Sequence, residues 1–301
     1  MNYLFEPGFF SSSPVHIAVV VGAVSALVSG IVGVFTVMRG QSFAGHALTD
    51  VATTGGSGAF FFNFSPLVGF LGAGVLGASA MDLVGVERLR GRDIATGIVL
   101  GFATGLAALF LYLDATKNAT TGVSQQILFG SIFTLDPTTI PLVVVMSVIT
   151  LGVLTLIYRP LLLSSISPDL AAARGIRVRV VGVLFMLTLA VAVGLSSIAI
   201  GSVLSTALLI GPAATALRVT RNLRAALVVA SVLGVVATWL GIVLAYDSFY
   251  WFPSSQGLPV SFFIVALIFL GYLLSGLPAL RRRTSSPVAA EPTREPVGAA
   301  A

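Results

Sequence analysis

The chain has 301 residues, of which 56% are hydrophobic and only 9% are charged, and its mean hydropathy is +1.04. These values lie far outside the range of soluble globular domains, so the sequence predicts an integral membrane protein. The chain contains no cysteine, which excludes disulfides, thiolate metal sites and thiol catalysis.

Apolar runs of about 18 to 22 residues recur along the chain and are long enough to cross a hydrocarbon core of roughly 30 Å as α-helices. The alternating segments of about ten residues that a transmembrane β-barrel needs are missing. The sequence therefore predicts an all-α fold, a polytopic transmembrane helical bundle of about eight or nine spans. The second span is the least hydrophobic, so an eight-span alternative with a re-entrant second segment stays open. The nine candidate spans lie near residues 14–38, 43–63, 66–85, 94–113, 139–158, 178–195, 200–217, 223–245 and 258–277.

Three segments lie outside the predicted spans and are longer than ordinary turns. The stretch 114–138 contains a short apolar patch that predicts a partial helix folding back, and the stretch 159–177 joins two spans. Residues 284–301 are rich in Pro, Ala and Glu and are predicted to form a disordered tail, which leaves 1–283 as the transmembrane domain. Residues 1–13 lack the basic region of a cleavable signal peptide, so we expect none.

The basic residues predict how the bundle sits in the membrane. With nine spans every arginine falls on one side, whereas Lys117 lies on the other. By the positive-inside rule the arginine side is cytoplasmic, so the N-terminus is expected outside and the C-terminus inside. The net charge of +5 then reflects topology and lipid contact, and no nucleic-acid partner is expected. The arginines are Arg39, Arg88, Arg90, Arg92, Arg159, Arg174, Arg177, Arg179, Arg218, Arg221, Arg224, Arg281, Arg282, Arg283 and Arg294.

One predicted span carries a polar face, in the stretch SFAGHALTDVATTGGSG at 42–58. At 100° per residue, six polar side chains fall within an arc of about 100° on a helix. An ionisable group inside a membrane costs at least a few kcal/mol, so it usually faces a cavity or a partner and marks a pathway. The six residues are Ser42, His46, Thr49, Asp50, Thr53 and Ser57.

His46 and Asp50 are the two ionisable members of this face and lie four residues apart. This spacing lets one helix offer an imidazole and a carboxylate to the same ion, a pair of ligands suited to divalent zinc, manganese or iron. The alternative is that the two side chains bond each other and only stabilise helix packing. The hydroxyls have a similar alternative, because Ser and Thr commonly bond the carbonyl four residues earlier.

The chain lacks a nucleotide-binding loop of its own. Such a loop needs a lysine after its glycines, and the only lysine is Lys117, on the predicted outer side. If ATP drives transport, the ATPase is therefore a separate chain. An intramembrane enzyme is disfavoured as well, because one His and one Asp on one helix make a poor catalytic set.

Three stretches of the chain follow one pattern of motifs, namely RGQSFAGHALTDVATTGG, PDLAAARGIRV and IGSVLSTALLIGPAATALRVTRN, and ILFGSIF follows it more loosely. Together they resemble the permease subunits of ATP-binding-cassette importers for zinc, manganese and iron. The first is similar to the family's second-helix signature, a basic residue, a Phe and then Gly-Asp-Ala-Leu-Ser-His. The second is similar to its cytoplasmic Asp-x-x-Ala-x-x-x-Gly segment, and the third to its late Gly-x-Leu-Leu-x-x-Ala-Leu-Leu-x-x-Pro-Ala-x-x-Ala helix. The resemblance extends from about residue 15 to 277.

One departure from the family pattern affects the ligands. The family has Asp and then His four residues later, whereas this chain has His46 and then Asp50. The same two positions can still hold a metal, but with the ligand types exchanged.

The resemblance also implies roles for particular residues. His46 and Asp50 would bind the ion transiently in the translocation path, which Ser42, Thr49, Thr53 and Ser57 would line. Residues 168–175 would form the helix that docks into the ATPase, with Asp169 as its N-cap as well as a partner contact. The positions carried over to that contact are Asp169, Ala172, Arg174 and Gly175.

For the whole assembly, the resemblance implies two permeases, two ATPases and an external metal-binding protein at a bacterial cytoplasmic membrane. The transported ion is expected to be zinc first, then manganese or iron, and no resident cofactor is expected in this chain. Two alternatives stay open. One is a proton-coupled secondary transporter with Asp50 as the protonated group; the other is a permease of the siderophore or cobalamin type, which moves large chelates.

Overall fold

The fold is all-α, as predicted, in a computed structural model that describes residue 9 and residues 12–84, 92–118, 122–130, 132–249, 251 and 257–284. Within these ranges there are helices and turns but no strand. Of the predicted tail, 284–301, only residue 284 lies within these ranges. The helices are α1 (Ser13–Met38), α2 (Ser42–Phe61), α3 (Pro66–Val84), α4 (Arg92–Leu113), α5 (Val123–Phe129), α6 (Thr139–Ile166), α7 (Pro168–Ala173), α8 (Val178–Ile200), α9 (Ser202–Val219), α10 (Leu223–Ser248) and α11 (Val260–Thr284).

The long helices match the predicted spans in order and place. Among the described residues, α1, α4, α6, α8, α9 and α10 are long and apolar enough to cross a membrane, and α3 and α11 contain shorter apolar stretches. The second predicted span, for which a re-entrant segment was the alternative, is α2, one continuous helix of 20 residues. Its polar content fits its position, because it packs against α3, α4, α8 and α9.

The core of the bundle is built around α1 and α8. Nearly every residue of α8 from Phe185 to Ile200 is buried, and α1 packs against α8, α9 and α10. The hydroxyls of Ser29 and Ser196 share a hydrogen bond of 2.5 Å between these two helices. Helices α4 and α6 lie at the edge, where Phe102 is 73% exposed and Leu156 82%. In a bilayer these apolar side chains meet lipid.

The two ends of the bundle differ in charge. At one end, which we call the arginine end, Arg39 reaches Ser164 of α6 and Arg218 of α9 lies 5.2 Å from the centre of the Tyr272 ring of α11. At the opposite end, which we call the lysine end, Lys117 lies 5.8 Å from the Phe61 ring. The long helices therefore alternate in direction as the sequence predicted.

Two predicted segments differ in detail from the structure. Helix α6 continues through Pro160 to Ile166, beyond the predicted end at 158, because Leu161 and Ser164 of its last turns are buried in the bundle. The fold-back helix predicted within 114–138 is confirmed as α5. Just before α6, Thr138 donates its backbone N–H to Asp136 at 3.0 Å, and this bond together with the Thr138 hydroxyl lowers the pKa of the exposed Asp136 carboxyl.

Pairs of glycines allow backbones to touch at two places. Gly55 of α2 and Gly69 of α3 face each other, and a Cβ on either would overlap the carbonyl oxygen of the other. Gly130, after α5, and Gly201, between α8 and α9, also lie backbone to backbone, and a Cβ on either would overlap the backbone nitrogen of the other. Their φ angles of +80° and +84°, with ψ of 164° and 159°, belong to a region that only glycine occupies readily.

Candidate metal-ion path

The polar face of α2 divides into an open part and a buried part. His46 is exposed, Ser42 and Asp50 are half-buried, and Thr49, Thr53 and Ser57 are buried. The open residues lie in the first turns of α2, so the helical rise places Asp50 about 12 Å from the helix start at the arginine end. The ionisable side chains of α2 are thus at the open part of its polar face.

His46 is held by a hydroxyl from a different helix. Its Nδ1 lies 3.2 Å from Oγ1 of Thr206 on α9. The Thr206 hydroxyl also lies 3.3 Å from that of Thr49, which in turn is 3.5 Å from the hydroxyl of Ser205. With Nδ1 engaged by Thr206, the other ring nitrogen, Nε2, is the one left to bind a metal.

Asp50 is held in a comparable way from the other side. The Thr104 hydroxyl of α4 donates to Asp50 Oδ2 at 3.0 Å, and α2 and α4 are tied again by Thr54, which donates to the Ala103 carbonyl at 2.7 Å. His46 and Asp50 therefore turn towards different helices, and each bonds a threonine rather than the other. The two side chains therefore make no direct bond to each other, and the bonds they make instead also tie α2 to α9 and α4.

The buried hydroxyls bond mainly within α2 itself. Thr49 donates to the Gly45 carbonyl at 3.1 Å, Thr53 to that of Thr49 at 2.8 Å, and Ser57 to that of Thr53 at 2.9 Å. Each bond runs to the carbonyl four residues earlier, a local pattern common for Ser and Thr in apolar helices. Of the three, Thr49 also reaches outward, through Thr206 and Ser205.

Thr206 and Thr104 were not among the residues predicted from the sequence. Both lie in spans that are otherwise apolar, and a hydroxyl there usually satisfies itself on its own helix. Thr104 does so in part, because its single hydroxyl proton is shared between the Leu100 carbonyl, at 2.8 Å, and Asp50 Oδ2. The available signal was the pair Ser205-Thr206 inside the motif IGSVLSTALL, which places two adjacent hydroxyls in a predicted span.

One copy of the chain offers an incomplete set of metal ligands. In the part of the chain that the structure describes, no group of three or more His, Cys, Asp or Glu side chains could hold an ion. Two side-chain ligands, with hydroxyls beside them, suit a site that releases its ion, whereas closed structural sites have four. Since His46 is exposed, a second copy could bring its own pair to the same place.

The residues predicted to contact the ATPase lie on and after α7, at the arginine end. Ser167, not Asp169, is the N-cap, because the Ser167 side chain accepts the Leu170 N–H at 3.3 Å. Asp169 lies two residues after Ser167, in the first turn of α7, and the N–H group that a cap would accept is already bonded by the Ser167 hydroxyl. The predicted capping role is therefore corrected, while a carboxylate in the first turn still favours the helix dipole.

Helix α7 ends in a defined turn. Gly175 has a φ of +77°, its N–H donates to the Ala172 carbonyl at 2.9 Å, and the Ile176 N–H donates to the Ala171 carbonyl at 3.1 Å. This pair of bonds is a Schellman motif, which favours glycine at that position. Ala171 is buried against the bundle, while the four predicted contact residues, Asp169, Ala172, Arg174 and Gly175, are exposed.

Comparison with known proteins places this fold in one family. The model of the ABC 3 transport family matches residues 13–275. The manganese transport system membrane protein MntC of Listeria monocytogenes is 26% identical over 90% of this chain and 94% of its own. MntC of Halalkalibacterium halodurans is 30% identical over 80% and 82%. The structure titled "PsaBC from Streptococcus pneumoniae in complex with Fab" matches with a TM-score of 0.76 and 25% identity, over 89% of this chain and 93% of that one. The chain is a multi-pass membrane permease that belongs to the ABC 3 transport family.

Proposed function

We propose that this chain is the membrane-spanning permease of an ATP-driven importer for a divalent transition metal ion, with manganese the first candidate. The observation that carries the proposal is the pair His46 and Asp50, four residues apart at the open part of α2 and each held by a threonine of another helix. A carboxylate and an imidazole are the two side chains of α2 with metal-binding chemistry.

The choice of manganese over zinc rests on the relatives and on ligand type. The relatives named above are manganese transport proteins, so the expectation that zinc comes first is not confirmed. The two proposed ligands offer one nitrogen, from His46, and the carboxylate oxygens of Asp50. Carboxylate, hydroxyl and water oxygens suit manganese, whereas zinc sites are richer in nitrogen and sulfur.

The assembly that we propose contains two copies of this chain, two ATPases and an external binding protein. A two-fold axis beside α2 would bring two His46 and two Asp50 side chains together, and four ligands could then share the ion. We place the arginine end in the cytoplasm, by the positive-inside rule, with the C-terminus on the same side. The exposed surface of α7 would then face the ATPase.

In the proposed mechanism the binding protein delivers the ion to the lysine end. ATP binding and hydrolysis on the partner subunits rock the two permeases between two orientations, and the ion passes His46 and Asp50. Thr206 keeps the imidazole turned so that Nε2 faces the ion, and Thr104 does the same for the free oxygen of Asp50. Binding at two ligands per copy is weak enough for the ion to leave.

The test is accumulation of manganese, zinc and iron by cells that express the chain with its cognate ATPase and binding protein. His46→Ala and Asp50→Ala are each expected to lower uptake of one metal by at least about tenfold at equal membrane abundance, since each removes a ligand. Matched controls are His16→Ala and Asp136→Ala, which remove the same side-chain types outside the face. Uptake that persists in both path variants would show that the pair does not bind the ion.

The same experiment separates the rival functions. Uptake that needs only a proton gradient, with no ATPase, would indicate a secondary transporter. Uptake of a metal chelate by the His46→Ala and Asp50→Ala double variant would indicate a permease for large chelates, which has no use for ligands from the protein.

A further inference from the structure

Arg39 links three helices at the arginine end. The residue follows the last turn of α1, and its Nη1 donates to Ser164 Oγ at 3.1 Å and to Ser165 Oγ at 3.4 Å, both in the last turn of α6. Its guanidinium carbon also lies 5.4 Å from the centre of the Phe185 ring on α8. The side chain is half-buried, so these contacts are shielded from water and from salt.

The serines that Arg39 contacts lie directly before α7 in the chain. Ser165 is two residues before Ser167, which is at once the C-cap of α6 and the N-cap of α7. Helix α7 packs on α6, and its Ala171 is fully buried. A push on α7 therefore moves the end of α6 that carries the two serines.

Arg39 itself lies directly before α2, which carries the proposed metal-binding face. Only Gly40 and Gln41 separate Arg39 from α2. Their turn is closed by two backbone bonds, from Gly40 N–H to the Val37 carbonyl at 3.0 Å and from Gln41 N–H to the Thr36 carbonyl at 2.9 Å. Because such a Schellman turn fixes the backbone, α2 follows the position of Arg39, and His46 lies only one turn into α2.

The chemistry of the contact requires arginine. A guanidinium can stack on an aromatic ring and donate in its own plane to two hydroxyls at once. A lysine ammonium is a point charge on a flexible stem and holds no such orientation. The contact therefore fixes both the relative orientation and the separation of α6, α8 and the start of α2.

We propose that Arg39 is a positioning residue that transmits movement of α7 to the metal-binding face of α2. The inference rests on the proposed function, since it takes α7 as the contact with the ATPase and His46 with Asp50 as the ion path. Arg39 would act through Ser164 and Ser165, and we expect it to contact neither nucleotide nor metal. Its loss should lower transport while ATP hydrolysis continues.

The test uses the full assembly with its cognate ATPase and binding protein in lipid vesicles, with manganese(II) as the probe. The measured quantity is the number of manganese ions taken up per ATP hydrolysed. Arg39→Lys, and separately Ser164→Ala with Ser165→Ala, are expected to keep ATPase binding and ATP hydrolysis within about twofold of wild type while this ratio falls at least tenfold. The serine variant leaves Arg39 itself intact, so it guards against a folding defect of the arginine variant.

Arg218→Lys is the matched control. Arg218 lies at the same end and stacks on Tyr272, but it connects α9 with α11 rather than with α7, and the ratio should not change. Hydrolysis and uptake that fall together in the Arg39 and serine variants, or a ratio equal to that of wild type, would overturn the proposal. A wild-type chain that binds no ATPase would overturn the proposed function, and with it the proposed role of Arg39. If the wild-type assembly transports manganese and the variants keep the wild-type ratio, only the role of Arg39 is overturned.

Discussion

His46 and Asp50 lie one helical turn apart on α2, yet the first is bonded by Thr206 of α9 and the second by Thr104 of α4. Each threonine hydroxyl can both donate and accept a hydrogen bond. Either position can therefore support an imidazole or a carboxylate. This explains how the chain can carry the two ligands in the order opposite to the family pattern without rebuilding the neighbouring helices.

Exchange of the two ligands should consequently be tolerated. The double variant His46→Asp with Asp50→His restores the order of the family pattern, and we expect it to retain manganese uptake within about fivefold of wild type. Each single change leaves two like ligands and should lose at least about tenfold. Uptake assays at equal membrane abundance check this, and a double variant no better than the singles would contradict it.

Removal of the Thr206 hydroxyl should weaken the site without touching a ligand. Thr206→Val keeps the shape of the side chain but frees the His46 ring, and loss of such a supporting bond typically costs 10- to 100-fold in metal affinity, as a rough guide. We expect the KM for manganese uptake to rise by about that factor, with Thr206→Ser close to wild type. Thr215→Val is the control, since Thr215 of the same helix bonds only the Gly211 carbonyl, at 2.8 Å. An unchanged KM in Thr206→Val would show that the bond does not orient the ring for binding.

The capping of α7 should affect the partner contact more than the fold. Ser167→Ala removes the bond to the Leu170 N–H, and loss of an N-cap costs about 1 kcal/mol. Because α7 is a six-residue helix, we expect it to fray and its affinity for the ATPase to fall several-fold, as measured by co-purification. Ser79→Ala, which removes an exposed serine that bonds the Val75 carbonyl, should leave co-purification unchanged. Equal co-purification of the ATPase with Ser167→Ala and Ser79→Ala would show that the N-cap of α7 does not affect the contact with the ATPase.

A side chain at Gly201 should destabilise the protein. Gly201→Ala would place a Cβ against the backbone around Gly130 in a conformation that costs of the order of 1–3 kcal/mol for other residues. We expect a lower Tm in detergent, by several degrees. Gly152→Ala is the control, because nothing lies near that helical position of α6 and alanine is the better helix former. Equal Tm values for the two variants would show that the glycine contact is loose.

The polar face could be read from the sequence because it depends on one helix alone. The 3.6-residue period places His46 and Asp50 together whatever surrounds them. Their partners, Thr206 and Thr104, depend on how α9 and α4 pack on α2, and a single sequence holds no record of that packing. The N-cap of α7 was missed for a related reason, since both Ser167 and Asp169 have side chains that can cap and only the backbone at Ser167, with φ of −149° and ψ of 103°, distinguishes them.

The polar character of α2 bears on how the chain is made. Among the described helices, α2 is outside the set that is long and apolar enough to cross a membrane by composition, and an aspartate near the middle of a helix opposes its insertion by the translocon. Only three residues, 39–41, separate α1 from α2, and only four separate α2 from α3. During synthesis α2 must therefore enter the bilayer together with its apolar neighbours, as the middle of a three-helix unit. The helix that we propose conducts the ion thus depends on α1 and α3 for its insertion into the membrane.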